Sequence, residues 1–205
     1  MVYAGDWYDS VDEEFIQHQH EMVQRLNDFN NTPDTEKGLV EREKILREIM
    51  GTYGEGLYII PPISANCGLH NVHAGKNVVI NFNVSLVDDG DIYIGDDTII
   101  EPNVVIMTAM HPISPRLRRH KIQYNKPVHI GNNVWIGPGA IIMPGVSIGD
   151  DAVVEAGSIV NQDVKSGSIV AGNPVRVKRY ITERDDSYYE KNQKIPQMFV
   201  EKYLK

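Results

Sequence analysis

The stretch MTAMHPIS, Met107–Ser114, sets a histidine, His111, before a proline and the basic run PRLRRHK. A free imidazole has a reference pKa of ~6.5, so at neutral pH it is mostly uncharged and can take a proton from an attacking group. On its own, His111 reads first as a solvated loop histidine. Arg116, Arg118 and Arg119 beside it suit a polar or anionic neighbour, or simply a solvated loop face. Four of the six further histidines, His70 and His73 in HNVH, His120 and His129, raise the question of a metal. His111 and His120 fall in one segment and His70 precedes the regular part of the chain, so the spacing does not assemble a ligand set. No metal is expected. The single cysteine, Cys67, excludes an intramolecular disulfide framework and reads as a small buried residue in a reducing, cytoplasmic setting.

The element that must position His111 is a repeat. Ile130, Ile136, Ile142, Ile148, Val154 and Val160 are six apart, as are Ile94, Ile100 and Ile106, and Ala74, Ile80 and Leu86. Four places after the markers sit small or β-branched residues: Thr98, Val104, Val134, Ala140, Val146, Ala152, Ser158 and Val164. A helix of period ~3.6 cannot keep such a series on one face. Short strands joined by tight turns can, with three units closing one turn of a triangular coil and the coils stacking. The phase slips by two residues between Leu86 and Ile94, across Val87-Asp88-Asp89-Gly90, which predicts a bulge or a slightly long corner. Between Ile106 and Ile130 the marker positions hold Pro112, Arg118 and Tyr124, which cannot fill an aliphatic ladder. Residues 107–127 are therefore expected to leave the coil as a loop, and His111 lies where the chain departs.

Before the coil, Phe15, Ile16, Met22, Val23, Leu26 and Phe29 follow helical spacing. So do Leu39, Val40, Ile45, Leu46, Ile49 and Met50 after Pro33-Asp34-Thr35. The expected organisation is an N-terminal helical segment (1–56), a parallel β-helix with the extruded loop (57–175), and a C-terminal segment (176–205). The 205 residues, 41% hydrophobic, suffice for one substantial core. A net charge of −8 argues against nucleic acid or an anionic membrane surface as partner. The opening MVYAGDWYDSVDEE shows neither a basic n-region nor an apolar h-region, and no apolar run approaches the ~18 residues of a span, so a cytoplasmic, non-membrane protein is expected.

The order of motifs is more specific than the repeat. NFNVSLVDDGDIYIGDDTIIEPNV, then HPIS, then HIGNNVWIGPGAIIMPGVSIGDDAVVEAGSIV, then AGNPVRVKR resembles the galactoside and maltose O-acetyltransferases, with the nodulation-type sugar acetyltransferases close. GDWYDSVDEE and the PPI near 61 fit the same group, so the resemblance spans nearly the whole chain. It implies a left-handed parallel β-helix and a homotrimer with sites between subunits. It also implies acetyl transfer from acetyl-CoA to a sugar hydroxyl, a primary one. Neither the handedness nor the trimer is contained in the periodicity.

Residue by residue, the resemblance makes His111 the general base that deprotonates the acceptor hydroxyl. Asn81, first of NFN, becomes an active-site contact able to hold a hydroxyl or help polarise the carbonyl. Asp89 and Asp9 match acceptor-binding carboxylates, Asp9 being equally readable as a helix N-cap. Trp7 or Tyr8 suits either a sugar face or the docking of the N-terminal helix. The donor's pantetheine arm is expected near Ala156, with Asn161 and Gln162 close by. Arg176 and Arg179 are expected at its nucleotide end, with Lys165 and Lys178 weaker candidates. At position 138 the family often has a residue with a backbone N–H; here Pro138 has none, so Gly139 or side chains would serve the oxyanion. The alternatives are acetylation of another acceptor, such as an antibiotic or amino-sugar, a metal hydrolyase of the γ-carbonic-anhydrase type, or a scaffold without catalysis.

Overall fold

A computed structural model describes residues 7–189 and 192–204. Its coil is set by a corner that recurs every six residues. Asn77, Asn83, Asp97, Asn103, Asn133 and Asp151 all adopt left-handed backbone angles, and Gly139, Gly145 and Gly157 continue the series. Each stands three places after an inward aliphatic. Only glycine, asparagine and aspartate tolerate that conformation cheaply, so the turn chemistry dictates where the chain bends. Amides also bridge corners of successive turns: Asn77 Nδ2 donates to Asp97 Oδ1 at 2.9 Å, and Asn133 Nδ2 to Asp151 Oδ1 at 2.8 Å.

Three parallel sheets result. The first face stacks Tyr58–Ile59, Val79–Ile80, Ile99–Ile100, Trp135–Ile136, Val153–Val154 and Ser168–Ala171, with Arg176–Tyr180 added antiparallel at its end. The second stacks Ser64–Ala65, Ser85–Val87, Val105–Met107, Ile141–Ile142 and Ile159–Val160. The third stacks Thr52–Tyr53, Val72–Ala74, Ile92–Ile94, Val128–Ile130 and Ser147–Ile148. Every expected marker stands in a register ladder: Ile80, Ile100, Ile136 and Val154 on the first face, Leu86, Ile106, Ile142 and Val160 on the second, Ala74, Ile94, Ile130 and Ile148 on the third. All are buried, as are the small residues four places on.

Helices α1 (Glu13–Asn30) and α2 (Glu36–Ile49) plug one end of the coil. Asp12 caps α1 by accepting from the Phe15 N–H, and Thr35 caps α2 by accepting from the Gly38 N–H. Leu26, Phe29, Ile45 and Ile49 join the coil's own core with Ile59, Ile63 and Leu69. Asn30 clamps the joint, exchanging both side-chain hydrogen bonds with the backbone of Ile63. Thr52–Tyr53 already belongs to the coil, ahead of the boundary expected at 57, and Arg176–Tyr180 continues its first sheet beyond 175.

The extruded segment carries more structure than a loop. Ala109–Met110 and Ile122–Asn125 pair antiparallel, with the short helix α3 (Pro115–Arg118) at the tip. A strand from the N-terminal segment, Trp7–Asp9, adds to the other edge of Ile122–Asn125, in the register Trp7 to Tyr124, Tyr8 to Gln123 and Asp9 to Ile122. The first residues described are thus a strand, not helix; three residues are too few to show a period in sequence. At the phase slip, Asp88 and Asp89 form the long corner, and both are buried.

Ile136 sits mid-ladder with no exposure. Ile136→Ala is expected to cost about 2–5 kcal/mol, since its rungs above and below cannot close the gap. Urea denaturation followed by circular dichroism measures this; a loss under about 1 kcal/mol would mean the ladder is not the core.

Candidate active site

His111 follows the strand Ala109–Met110, and its Nδ1 lies 2.9 Å from the carbonyl oxygen of Ile122 across the hairpin. A carbonyl only accepts, so Nδ1 carries the proton and Nε2 the lone pair. The side chain is exposed, leaving Nε2 available. Asp9 stands opposite Ile122 on the added strand and is exposed. Its Oδ1 accepts from the Val11 N–H at 3.0 Å, while the cap of α1 is Asp12; the N-cap alternative for Asp9 is therefore set aside.

Beneath the hairpin lies a buried polar cluster. Gln123 Nε2 donates to Tyr8 Oη at 2.6 Å and to Asp89 Oδ1 at 2.9 Å. Tyr8 Oη donates to Asn125 Oδ1 at 3.2 Å, and Asn125 Nδ2 to the Asp89 carbonyl at 2.9 Å. Asn66 Nδ2 donates to Asp89 Oδ2 at 2.9 Å. Burial, then the Asp89 charge, pushes the Tyr8 phenol well above its ordinary value. Asp89 is 5% exposed, and each carboxylate oxygen already accepts one amide. In this chain it braces the hairpin that holds His111. Sequence reading missed Gln123 and Asn125; their two-residue spacing on a strand, with Tyr8 opposite, is the signal that was there.

Asp88 beside it is fully buried. Its Oδ1 accepts from the Cys67 N–H at 2.7 Å, and its Oδ2 has no partner among the described residues. Burial pushes its carboxyl up to about 6.

Asn81 lies at a different corner, where the first face hands over to the second. Its Nδ2 donates to the Ile100 carbonyl at 3.2 Å and to Glu101 Oε2 at 3.3 Å. His111 leaves between the second and third faces, so a single chain does not bring Asn81 and His111 to one corner.

A cleft of about 1130 Å³ runs along the first face at the C-terminal end, lined by Trp135, Pro138, Ala156, Arg179, Tyr180 and Tyr188 among others. Ala156 and Arg179 are where the donor was expected. Asn161, Gln162 and Arg176 are exposed but do not line this cleft. Gln162 Nε2 and Arg176 Nη1 each donate to the Val175 carbonyl, at 3.1 and 2.8 Å. The Arg179 fork is engaged by Asp185 at 2.7 and 2.8 Å, which draws that carboxyl down to about 2. Lys178 pairs with Glu155 at 2.7 Å. The Gly139 N–H donates to the Pro102 carbonyl at 3.0 Å, so in this chain it is already engaged.

His18, His70, His73 and His129 have aromatic neighbours. His73 stacks on Tyr93 and Tyr93 on His129, each at 4.8 Å, along the outside of the third face. His70 meets His18 edge-on at 5.0 Å. Among the described residues no three His, Cys, Asp or Glu side chains are grouped to hold a metal ion.

A model described as bacterial transferase hexapeptide (six repeats) matches residues 127–162, and one described as maltose acetyltransferase hexapeptide capping motif matches residues 2–54. The galactoside O-acetyltransferase of Lactococcus lactis is 40% identical over 194 residues, 95% of this chain and 93% of the relative. A solved galactoside acetyltransferase in complex with coenzyme A superposes with a TM-score of 0.88 at 38% identity, covering 93% of this chain and 94% of that one. A maltose O-acetyltransferase from Clostridium difficile gives 0.83 at 40% identity, covering 87% and 94%.

The buried Asp88 predicts a pH effect. Its folded value of about 6 lies above its ordinary 3.8, so between them the folded state binds more protons than the unfolded one. This contribution favours folding at low pH and is lost as pH rises through about 6. Asp88→Asn is expected to flatten that part of the stability curve, measured by urea denaturation across the pH range. An unchanged slope would assign it to other groups.

Proposed function

The chain belongs to the hexapeptide-repeat galactoside and maltose O-acetyltransferase family, and on that footing we propose that it transfers an acetyl group from acetyl-CoA to a sugar hydroxyl. The acceptor is a sugar such as a galactoside, maltose or glucose, and the reacting group its primary 6-hydroxyl. The observation that carries this reading is the Nδ1 contact of His111 with the Ile122 carbonyl, which fixes the tautomer and leaves Nε2 as a base.

In the proposed step the acceptor oxygen attacks the thioester carbonyl as its proton passes to His111 Nε2. The tetrahedral intermediate collapses by breaking the carbon–sulfur bond. The thiolate leaves with the proton returned from the imidazolium, giving the sugar ester and free CoA. No acyl-enzyme forms and no metal is required. Asp9, across the strand pair from Ile122, orients the sugar, and Asp89 acts with it from the cluster below. The donor's arm runs near Ala156, where small residues such as Ala156 and Gly157 let it approach the backbone, with Pro138 as lining. Arg179 and Arg176 serve the nucleotide end, and Asn161 and Gln162 the arm, from a neighbouring chain's cleft where they do not reach their own.

The placement of Asn81 and His111 at different corners supports sites shared between subunits of a homotrimer. The single buried Cys67 suits a cytoplasmic setting. No helix among the described residues is long and apolar enough to cross a membrane.

Free-thiol release from acetyl-CoA, with a panel of galactosides, glucosides and maltose, tests the reaction. His111→Ala is expected to lower kcat by ~10² or more with the fold intact; a smaller loss would remove histidine as the base, and a trapped acetyl-protein would remove direct transfer. Co-assembly of His111→Ala chains with Asn81→Ala chains is expected to regain activity that neither variant has alone. Failure to regain any would place both residues of a site in one chain.

A further inference from the structure

Glu101 occupies the first position after the inward residue Ile100, at the same corner as Asn81 one turn earlier and Gly137 one turn later. The three are consecutive rungs: the Asn81 N–H donates to the Ile100 carbonyl at 2.9 Å, and the Glu101 N–H to the Ile136 carbonyl at 3.0 Å. The half-buried Glu101 carboxylate binds on both sides. Its Oε2 accepts from Asn81 Nδ2 at 3.3 Å, and its Oε1 from the Trp135 indole N–H at 3.2 Å. Trp135 is a wall of the cleft. Gly137 adds no side chain to the stack, and a Cβ there would come within 2.7 Å of the Ala156 nitrogen. At Gly137 the backbone therefore packs closely on the next turn at Ala156, and Gly137, Pro138 and Ala156 all line the cleft.

We propose that Glu101 is a positioning residue for acetyl transfer, holding Asn81 and Trp135 in one fixed relation. The inference rests on the acetyltransferase reading above and deepens it. Asn81 Nδ2 has two protons, and its two acceptors are the Ile100 carbonyl and Glu101. The free atom of Asn81 is then its Oδ1, an acceptor. Asn81 so held takes a hydrogen bond from the acceptor hydroxyl and orients it; it does not donate to the oxyanion. The same carboxylate fixes the indole against which the donor lies, so one side chain registers both substrates. A neutral amide at 101 offers one oxygen and one N–H₂ group. It can satisfy Asn81 or Trp135 but not both, and the unsatisfied partner must turn away.

Glu101→Gln is expected to lower kcat/KM for the sugar by roughly 10–100-fold, the scale of a lost hydrogen bond to a charged group, with an unchanged melting temperature. In an Asn81→Ala background, with acetyl-CoA saturating, the same change is expected to cost nothing further in kcat/KM for the sugar, because that part of its effect passes through Asn81. Additive losses would overturn the proposal. A second readout does not depend on the acceptor. In ¹⁵N-labelled protein, Glu101→Gln is expected to shift both the Trp135 indole N–H, assigned with Trp135→Phe, and the Asn81 side-chain amide. If neither moves, the positioning contact is absent and the proposal fails. Absent thiol release by wild type with any sugar, alongside shifted resonances, would sink the sugar reading while leaving the contact standing.

Discussion

Everything in this molecule depends on a geometric constraint: each turn of the coil accepts one inward aliphatic per face, and at most corners the backbone then bends through a left-handed residue. The inward residues supply the hydrophobic burial, and the Asn, Asp and Gly corners keep them in register. Neither suffices alone. A ladder without corners would run on as ordinary strands, and corners without a ladder would have nothing to stack upon. The aspartates and asparagines also tie neighbouring turns through their side chains, so the corner chemistry serves both within a turn and between turns.

His111 sits outside this regime. Residues 107–127 obey no six-residue rule and are held by other means: two short hairpin strands, a third strand contributed from the N-terminal segment, and the buried Asp89, Gln123 and Asn125 bonded to the half-buried Tyr8. Burying that many polar groups is tolerable because nearly all are paired. The exception, Asp88 Oδ2, lies at the same long corner, where two extra residues break the repeat. The departure in rhythm at Val87–Gly90 and the departure at Met107 are thus parts of one arrangement, since the long corner forms the seat of the hairpin.

The coil was legible in sequence because its constraint is local and periodic, and the same register pairs Ile80, Ile100, Ile136 and Val154 in the structure. Both helices were legible from their apolar spacing. The hairpin, the strand Trp7–Asp9 and the Ile122 carbonyl were not, because they join residues far apart in the chain through segments too short to carry a period. A backbone carbonyl leaves no mark in sequence at all. Asn81 and Asp89 were singled out by resemblance, but their partners Glu101 and Gln123 were not. A carboxylate at a coil corner looks like surface until its neighbours one turn away are known. The Asp185 carboxylate that occupies Arg179 was likewise hidden, as the two meet only after the chain folds back beyond the last coil.

The added strand Trp7–Asp9 has a further consequence for how such a protein changes over evolutionary time. The aliphatic ladder and its corners carry the stability, whereas the hairpin and the strand beside it shape the ground around His111. Substitutions at exposed positions such as Trp7, Asp9, Ile113 or Leu117 can redraw that ground without disturbing a single rung. The scaffold is therefore buffered against experiments at its own rim. The surroundings of His111 can be refitted by altering two short segments that lie about a hundred residues apart in sequence and side by side in the fold.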